Sequence, residues 1–451
     1  MHLPSNFRFQ FACRLLACAA TFVATVAFAQ QPNEHAEAIV ETACPEPTDA
    51  PSSPPPFGGP LLERTKLTGD WFCMRSHLRD SGVTLDINTT QYYQGVTTGG
   101  LDQAFRYGGR NDYFVNLDGE KLGFSKGSFA ILHGETRYGE SANPLTGAIM
   151  PTNLALALPQ PNGSVSALTG VKFMQFLSET KLVFAGKINT FDDFKQPLTG
   201  AGATNGFQNT ALMINPVFAR TVPYSTYGAG FVALEKMEPV FTLAVFDTNN
   251  TPLVTGFESF FNNGVTILGQ ANKLTDFFGL PGHQGLSGTY STGSYTNLSP
   301  TVYLNPRDGL VVVSNPQSPS WSLAYNADQA LYVSPDDPRK RWGLFGNLGI
   351  ADNNPSPIRW FANAGLSGTS PFACRTNDTF GVGYFYVGVS DALKTLAPIL
   401  LPLGDEQGVE LYYNYAVTPW CQITPDIQVI NPFRERIDTS LLIGMRAKIE
   451  F

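Results

Sequence analysis

The sequence predicts an all-β fold, a transmembrane antiparallel β-barrel of about 16 strands, with a short N-terminal helix at its periplasmic rim. Three observations carry this. Side chains alternate apolar and polar with a period of two across most of the chain. Only 15% of the residues are charged, against about 25% in soluble domains, while Gly (43), Phe (33) and Tyr (17) are plentiful. Beyond the N-terminus no uninterrupted apolar run reaches the roughly 18 residues of a spanning helix. A chain that deals its apolar residues out one at a time suits a closed sheet. In lipid, only a helix or a closed sheet pairs every backbone N–H and C=O.

The elements follow in order. Residues 1–29 place Arg8 and Arg14 ahead of an apolar run from Leu15 that ends Ala27-Phe28-Ala29, the layout of a cleaved export signal. Its removal takes two basic and no acidic residues, moving the formal charge from −8 to −10. Such a chain offers no clustered Lys and Arg for nucleic acid, and none is expected as a partner. Residues 30–62 are Pro-rich and aperiodic, a disordered periplasmic linker. Residues 63–82 hold a short amphipathic helix that Thr68 or Asp70 caps and Gly82 ends, with Trp71, Met74 and Leu78 on its apolar face.

From Val83 to Phe451 the period is two. Arg110, Asp112, Asn116 and Asp118 alternate with Tyr113, Val115 and Leu117. His133, Glu135 and Arg137 alternate with Leu132 and Tyr138, and Lys187 and Asn189 with Ile188. Glu410, Tyr412 and Asn414 alternate with Leu411, Tyr413 and Tyr415. These 369 residues, at about 22 to 24 per crossing with its connection, give a strand count near 16. A barrel of that size encloses an aqueous channel. Short turns such as 122–127 alternate with longer Gly/Ser/Thr/Asn stretches, as the two rims of an outer-membrane barrel require. The final segment LLIGMRAKIEF puts Leu441, Ile443, Met445, Ala447, Ile449 and Phe451 on one face and Gly444, Arg446, Lys448 and Glu450 on the other. It reads as the closing strand, with Phe451 in the interfacial girdle. A terminal Phe after alternating apolar residues also resembles the signal that the barrel-assembly machinery reads.

No enzyme motif is present. Gly285-Leu286-Ser287-Gly288 and Gly365-Leu366-Ser367-Gly368 are each followed by Thr and do not complete a nucleophile elbow. There is no metalloprotease helix, P-loop, calcium loop or C-x-x-C, so no catalytic residue, metal or cofactor is expected.

Several blocks together resemble one family. They are Leu67-Thr68-Gly69-Asp70-Trp71 with Arg75 and Leu78, and Arg110-x-Asp112 leading into DGEKLGF-x-x-GSF-x-x-x-HGETRYG. AGKINTFDDF, TNDTFGVGYFYVGVSD, ELYYNYAVTPW and ITPDIQVINP follow in the same order. In order and spacing, from Leu67 to Phe451, the chain is similar to the carbohydrate-selective porins of the OprB type. Phe72 and Cys73 stand where that family has glycines, and Cys374 interrupts its arginine-rich turn.

The resemblance implies an outer-membrane channel of a Gram-negative bacterium for passive diffusion of glucose-like sugars, with an eyelet of arginines and carboxylates. By parity, Arg110, Asp112, Asn116, His133, Glu135, Arg137 and Lys187 face the lumen and are the candidate pore-lining residues. An ordinary solvated inner wall has the same residues, and His133 alone fits a hydrogen-bonded wall position. The expected partners are carbohydrate solutes, outer-membrane lipid and the assembly machinery. Counting strands from the end puts Cys374 and Cys421 at the periplasmic rim beside Cys73, so one disulfide is expected among these three. The stretch from Asp276 to Pro300, with Phe277, Phe278, Tyr290 and Tyr295, reads as a long loop over or into the mouth, and Ala397 to Leu403 as an outer loop. Two other readings stay open: a general or anion-favouring porin, and a secreted soluble β-rich sugar-binding protein or hydrolase.

Overall fold

The computed structural model describes residues 57–451 except 161–162, 194–197, 201–202, 306–308, 314, 336, 373 and 396–400. The expected export signal and most of the Pro-rich segment lie outside the described residues, as does the greater part of the 397–403 run.

Among the described residues sixteen strands close into one barrel, each antiparallel to its neighbours. They are β1 (Val83–Thr98), β2 (Phe105–Asp118), β3 (Ser128–Gly139), β4 (Val165–Ser178), β5 (Lys181–Asn189), β6 (Ser225–Glu235), β7 (Glu238–Asp247), β8 (Val265–Phe277) and β9 (Leu280–Ser291). After a hairpin of β10 (Thr301–Asn305) and β11 (Gly309–Val313) come β12 (Ser320–Val333), β13 (Arg341–Ala351), β14 (Ile358–Thr369), β15 (Thr379–Val389), β16 (Glu406–Thr418), β17 (Cys421–Asn431) and β18 (Ser440–Glu450). β18 closes the barrel on β1, with Asn88 opposite Glu450 and Gln91 opposite Ala447.

The wall is apolar outside and largely polar inside, with an inner apolar patch of Phe345, Phe361, Phe385, Val387 and Ile430 on β13 to β17. On β13, Leu344, Leu348 and Ile350 are about half exposed, whereas Asn347 between them is 4% exposed. On β16, Leu411, Tyr415 and Val417 face out, and Glu410 and Asn414 are buried. Outward rings gather toward both rims, Tyr290, Trp321 and Trp360 at one and Tyr332 and Tyr415 at the other, as the girdles of a membrane barrel do. This orientation removes the soluble-sandwich reading.

One rim carries short turns. Lys236 and Met237, both at positive φ, make the two-residue turn of β6 to β7, and Phe278 and Gly279 that of β8 to β9. The expected loop from Asp276 is therefore corrected: Leu280–Ser291 is a wall strand, and Tyr290 faces outward. Its many Gly, Ser and Thr residues suggest a loop, yet they suit a strand whose inner face needs little bulk.

The helix, α1 (Met74–Asp80), begins later than expected and turns a different face inward. Asp70 binds the Ser76 N–H and hydroxyl at 2.8 and 2.6 Å without being the cap residue, and Cys73 occupies that position at φ 70°. Met74 is exposed and Arg75 is buried. Arg75 donates to the Phe451 carbonyl at 2.8 Å and lies over the Trp71 ring at 4.2 Å, so a cation rather than an apolar stripe docks this helix on the closing strand. Lys66 adds bonds to Asp86 at 3.0 Å and Glu450 at 3.2 Å.

The disulfide expectation is also corrected. Cys374 and Cys421 are free thiols, and the bond that Cys73 makes is to neither of them. Cys374 sits in the β14–β15 turn and Cys421 opens β17. Strands two apart are about 10 Å from each other, beyond the roughly 7 Å that a disulfide bridges.

Candidate functional site: the lumen

The long connections emerge at the opposite rim, and two of them fold into the barrel. Residues 140–164, joining β3 to β4, are called loop A, and residues 190–224, joining β5 to β6, loop B. Loop B carries short helices α2 (Thr190–Asp193) and α3 (Thr210–Met213) and a 3-10 turn at Pro216–Phe218. The Asn209 side chain caps α3 by accepting from the Ala211 N–H at 3.0 Å.

Loop B crosses to the far wall, where Phe207, Ala211 and Leu212 are fully buried. The Phe207 ring meets Tyr412 edge-on at 4.9 Å and Phe345 at 5.5 Å. Glycines 381 and 383 in β15 make room for it: a Cβ on Gly381 would come 2.7 Å from the Phe207 ring, and one on Gly383 2.7 Å from Leu212. The loop's backbone is held by wall side chains. Glu410 accepts the N–H groups of Gln208 at 2.6 Å and Asn209 at 2.8 Å. Arg446 donates to the carbonyls of Ala203 and Gly206, both at 2.8 Å, and Asn363 to that of Ala211 at 2.7 Å. Loop A is held similarly, by Glu406 accepting from Ile149 and Met150 at 2.6 and 3.0 Å. The two loops join where Leu154 N–H donates to the Gln208 carbonyl at 3.1 Å and Thr210 N–H to that of Pro151 at 3.0 Å. Both loops therefore occupy part of the lumen.

At the root of loop B the expected wall residues converge. Arg110 Nε donates to Asp112 at 2.7 Å, and its Nη2 pairs with Glu135, which also accepts from the Tyr224 hydroxyl. Directly opposed register places Arg110 by Arg137 and Asp112 by Glu135 across β2 and β3. His133 lies between Asp112 at 3.2 Å and Asp192 of α2 at 2.9 Å, stacked on Phe114 with centroids 3.9 Å apart. Burial first, and the Glu135 carboxylate second, push the Tyr224 phenol well above its ordinary pKa, so it stays a donor. Arg110 Nη1 makes no hydrogen bond among the described residues, and Arg110 keeps 7% of its surface exposed. Ligand atoms of Asp112, His133 and Glu135 lie within 4.8 Å of one another, but the Arg110 guanidinium already bridges both carboxylates where a cation would sit.

The remaining expected residues lie elsewhere. Arg137 is fully buried, and its Nε and Nη1 donate to the carbonyls of Leu156 and Gly163 at 2.8 Å, so it holds loop A. Lys187 donates to the Val254 carbonyl at 2.7 Å and holds the β7–β8 connection. Asn116 is half-buried, four residues along β2 from Asp112, about 13 Å toward the short-turn rim. Tyr224, Asp192, Glu410 and Arg446 were not among the expected residues. The signal for Asp192 and Tyr224 was the 35-residue span 190–224, which keeps no period of two, whereas Glu410 and Arg446 hold inward-facing positions of their strands.

A closed sixteen-strand barrel, apolar outside and partly filled by infolded loops, has the architecture of an outer-membrane porin. The chain belongs to the carbohydrate-selective porin, OprB family, whose model matches residues 102–451. It is 26% identical over 191 residues to Porin B of Pseudomonas aeruginosa, a match covering 38% of this chain and 42% of that protein. The high-pH structure of Pseudomonas putida OprB superposes with a TM-score of 0.74 at 22% identity, over 86% of this chain and 99% of that one. The low-pH structure of the same protein gives 0.55 at 18%, with the same coverage. The location is accordingly the outer membrane of a Gram-negative bacterium.

Proposed function

We propose that the protein is a passive, sugar-selective channel for glucose-like monosaccharides, with a constriction built on Arg110, Asp112 and Glu135 and approached past Asn116. The observation that carries this is the Arg110 guanidinium, clamped by two carboxylates yet left with one uncommitted amino group. A neutral polyol needs donors and acceptors at short range and no strong field at long range. Opposite charges held within one cluster supply that arrangement, whereas a lone arginine would favour anions. Binding must also be weak enough to release, which suits one guanidinium donor better than a closed cage. In this reading His133 and Tyr224 position the carboxylates, and Arg137 and Lys187 shape the loops. The strand ending at Phe451 is the segment the assembly machinery would read.

The test is swelling of liposomes containing the purified protein in iso-osmotic glucose. Arg110→Lys keeps the charge but loses the fork. Glucose entry should slow severalfold in that variant while entry of small ions is retained. Equal loss for both solutes, or no change, contradicts the assignment.

A further inference from the structure

A second polar surface lies on the other side of loop B. A cavity of about 500 Å³ is bounded by Met213 to Phe218 of loop B and reaches toward the short-turn rim at Glu238, Asp328 and Arg341. One wall carries a row of amides in a single register. Asn272 on β8 is opposite Gly285 on β9, Gly285 is opposite Asn326 on β12, and Asn326 is opposite Asn347 on β13, whose amide donates to Asn363 on β14 outside the cavity. Gly285 is what lets the first two meet. A Cβ there would lie 2.5 Å from the Oδ1 atoms of both Asn272 and Asn326, so these two acceptors converge over the glycine. Asn272 is fixed by Gln270 at 3.1 Å and by the Pro239 carbonyl at 3.0 Å. The Asn326 amide makes no hydrogen bond among the described residues and faces the cavity. In the next row His283 is held between Asp328 at 2.9 Å and Glu238 at 3.0 Å. Leu182 and Phe184 line the same cavity with apolar surface.

We propose that this amide row is a second binding surface for a neutral polyhydroxylated solute, which it meets between loop B and the short-turn rim. Converging amide oxygens accept from neighbouring hydroxyls, the Asn326 nitrogen donates, and the apolar lining accommodates C–H faces. Uncharged amides suit a solute without charge, because they offer hydrogen bonds with little penalty when the site empties. The inference rests on the sugar-channel reading above, at a different place in the same lumen.

The experiment is glucose block of single-channel current in four proteins: wild type, Arg110→Lys, the double variant Asn272→Leu/Asn326→Leu, and all three changes together. Gly285→Ala is measured beside them, since its methyl would part the two oxygens without deleting either. Heat-modifiable gel mobility certifies a folded barrel for each. The double variant and Gly285→Ala should each raise the half-blocking concentration roughly three- to tenfold, the worth of one or two neutral hydrogen bonds. The triple variant should lose the block that Arg110→Lys retains. Unchanged block on removing the amides, in both backgrounds, overturns the second surface and leaves the Arg110 reading intact. Block that depends on the amides but not on Arg110 supports the second surface and removes the first. A wild-type channel that glucose does not block overturns both.

Discussion

The Glu410 carboxyl on β16 accepts the backbone N–H of Gln208 at 2.6 Å, across 202 residues of chain, and its other oxygen takes Asn209. This one side chain holds the tip of loop B against the far wall. Glu410→Ala leaves two buried N–H groups unpaired, at about 1–3 kcal/mol each. The loop should then leave the wall part of the time. Single-channel recordings should show a larger and noisier conductance, and a quiet, unchanged one would mean that the remaining contacts suffice.

Arg446 makes the complementary contact, with one nitrogen shared between the Ala203 and Gly206 carbonyls and another bonded to Thr424 at 3.2 Å. A lysine there cannot span these acceptors. Arg446→Lys should lower the thermal unfolding midpoint in detergent, by the loss of one or two buried bonds of about 1–3 kcal/mol. A midpoint equal to wild type would show that the fork is dispensable.

Gly383 lies against Leu212, with 2.7 Å between that side chain and any added Cβ. Gly383→Val therefore overfills a packed contact, typically at about 1–3 kcal/mol. Proteolysis of the folded protein should become faster within loop B and nowhere else. Uniform resistance would mean that the wall yields instead.

Asp405 lies in the connection before β16 and accepts from Lys394 at 2.6 Å, the Tyr386 hydroxyl at 2.9 Å and the Val389 N–H at 2.9 Å. Burial acts to raise its pKa, but these three bonds outweigh it and hold the carboxyl below its ordinary value. A lowered folded-state pKa gives stability that is present above the unfolded value of about 3.9 and disappears as pH falls through the folded one. Asp405→Asn should thus melt below wild type at pH 7, and the difference should shrink below about pH 4. A difference that persists in strong acid would place the effect in packing.

Cys374 is exposed in a turn, whereas Cys421 is half-buried at a strand start. Without denaturant, a bulky maleimide should label Cys374 first and Cys421 slowly, with no labelling at Cys73. Peptide mapping after labelling reads this directly, and a labelled Cys73 would contradict its bonded state.

The wall was legible in the sequence because its rule is local. A period of two gives the face of each strand, and Arg110, Asp112, His133, Glu135, Glu410 and Arg446 all point inward as their parity requires. What fills the lumen was not legible. Loop B takes its position from partners such as Glu410 and Arg446, some 200 residues or more away along the chain, and no local pattern encodes such pairings. For the same reason parity placed Arg137 inside correctly but could not show that loop A's carbonyls reach it first. The glycines of the FGVGY block carried a trace of the answer. A wall strand that alternates Gly381 and Gly383 on its inner face leaves room for something, and that something is Phe207 and Leu212. The stretch after Asp276 misled for the opposite reason, since residues common in loops form the inner face of β9.

The central claim, a diffusion channel with a sugar site in its constriction, meets its most direct test in planar-bilayer conductance of the purified protein during titration with glucose. The account predicts stable single channels whose current falls saturably as glucose rises. Stable channels whose current follows only the viscosity of the solution, with no saturation, would contradict it.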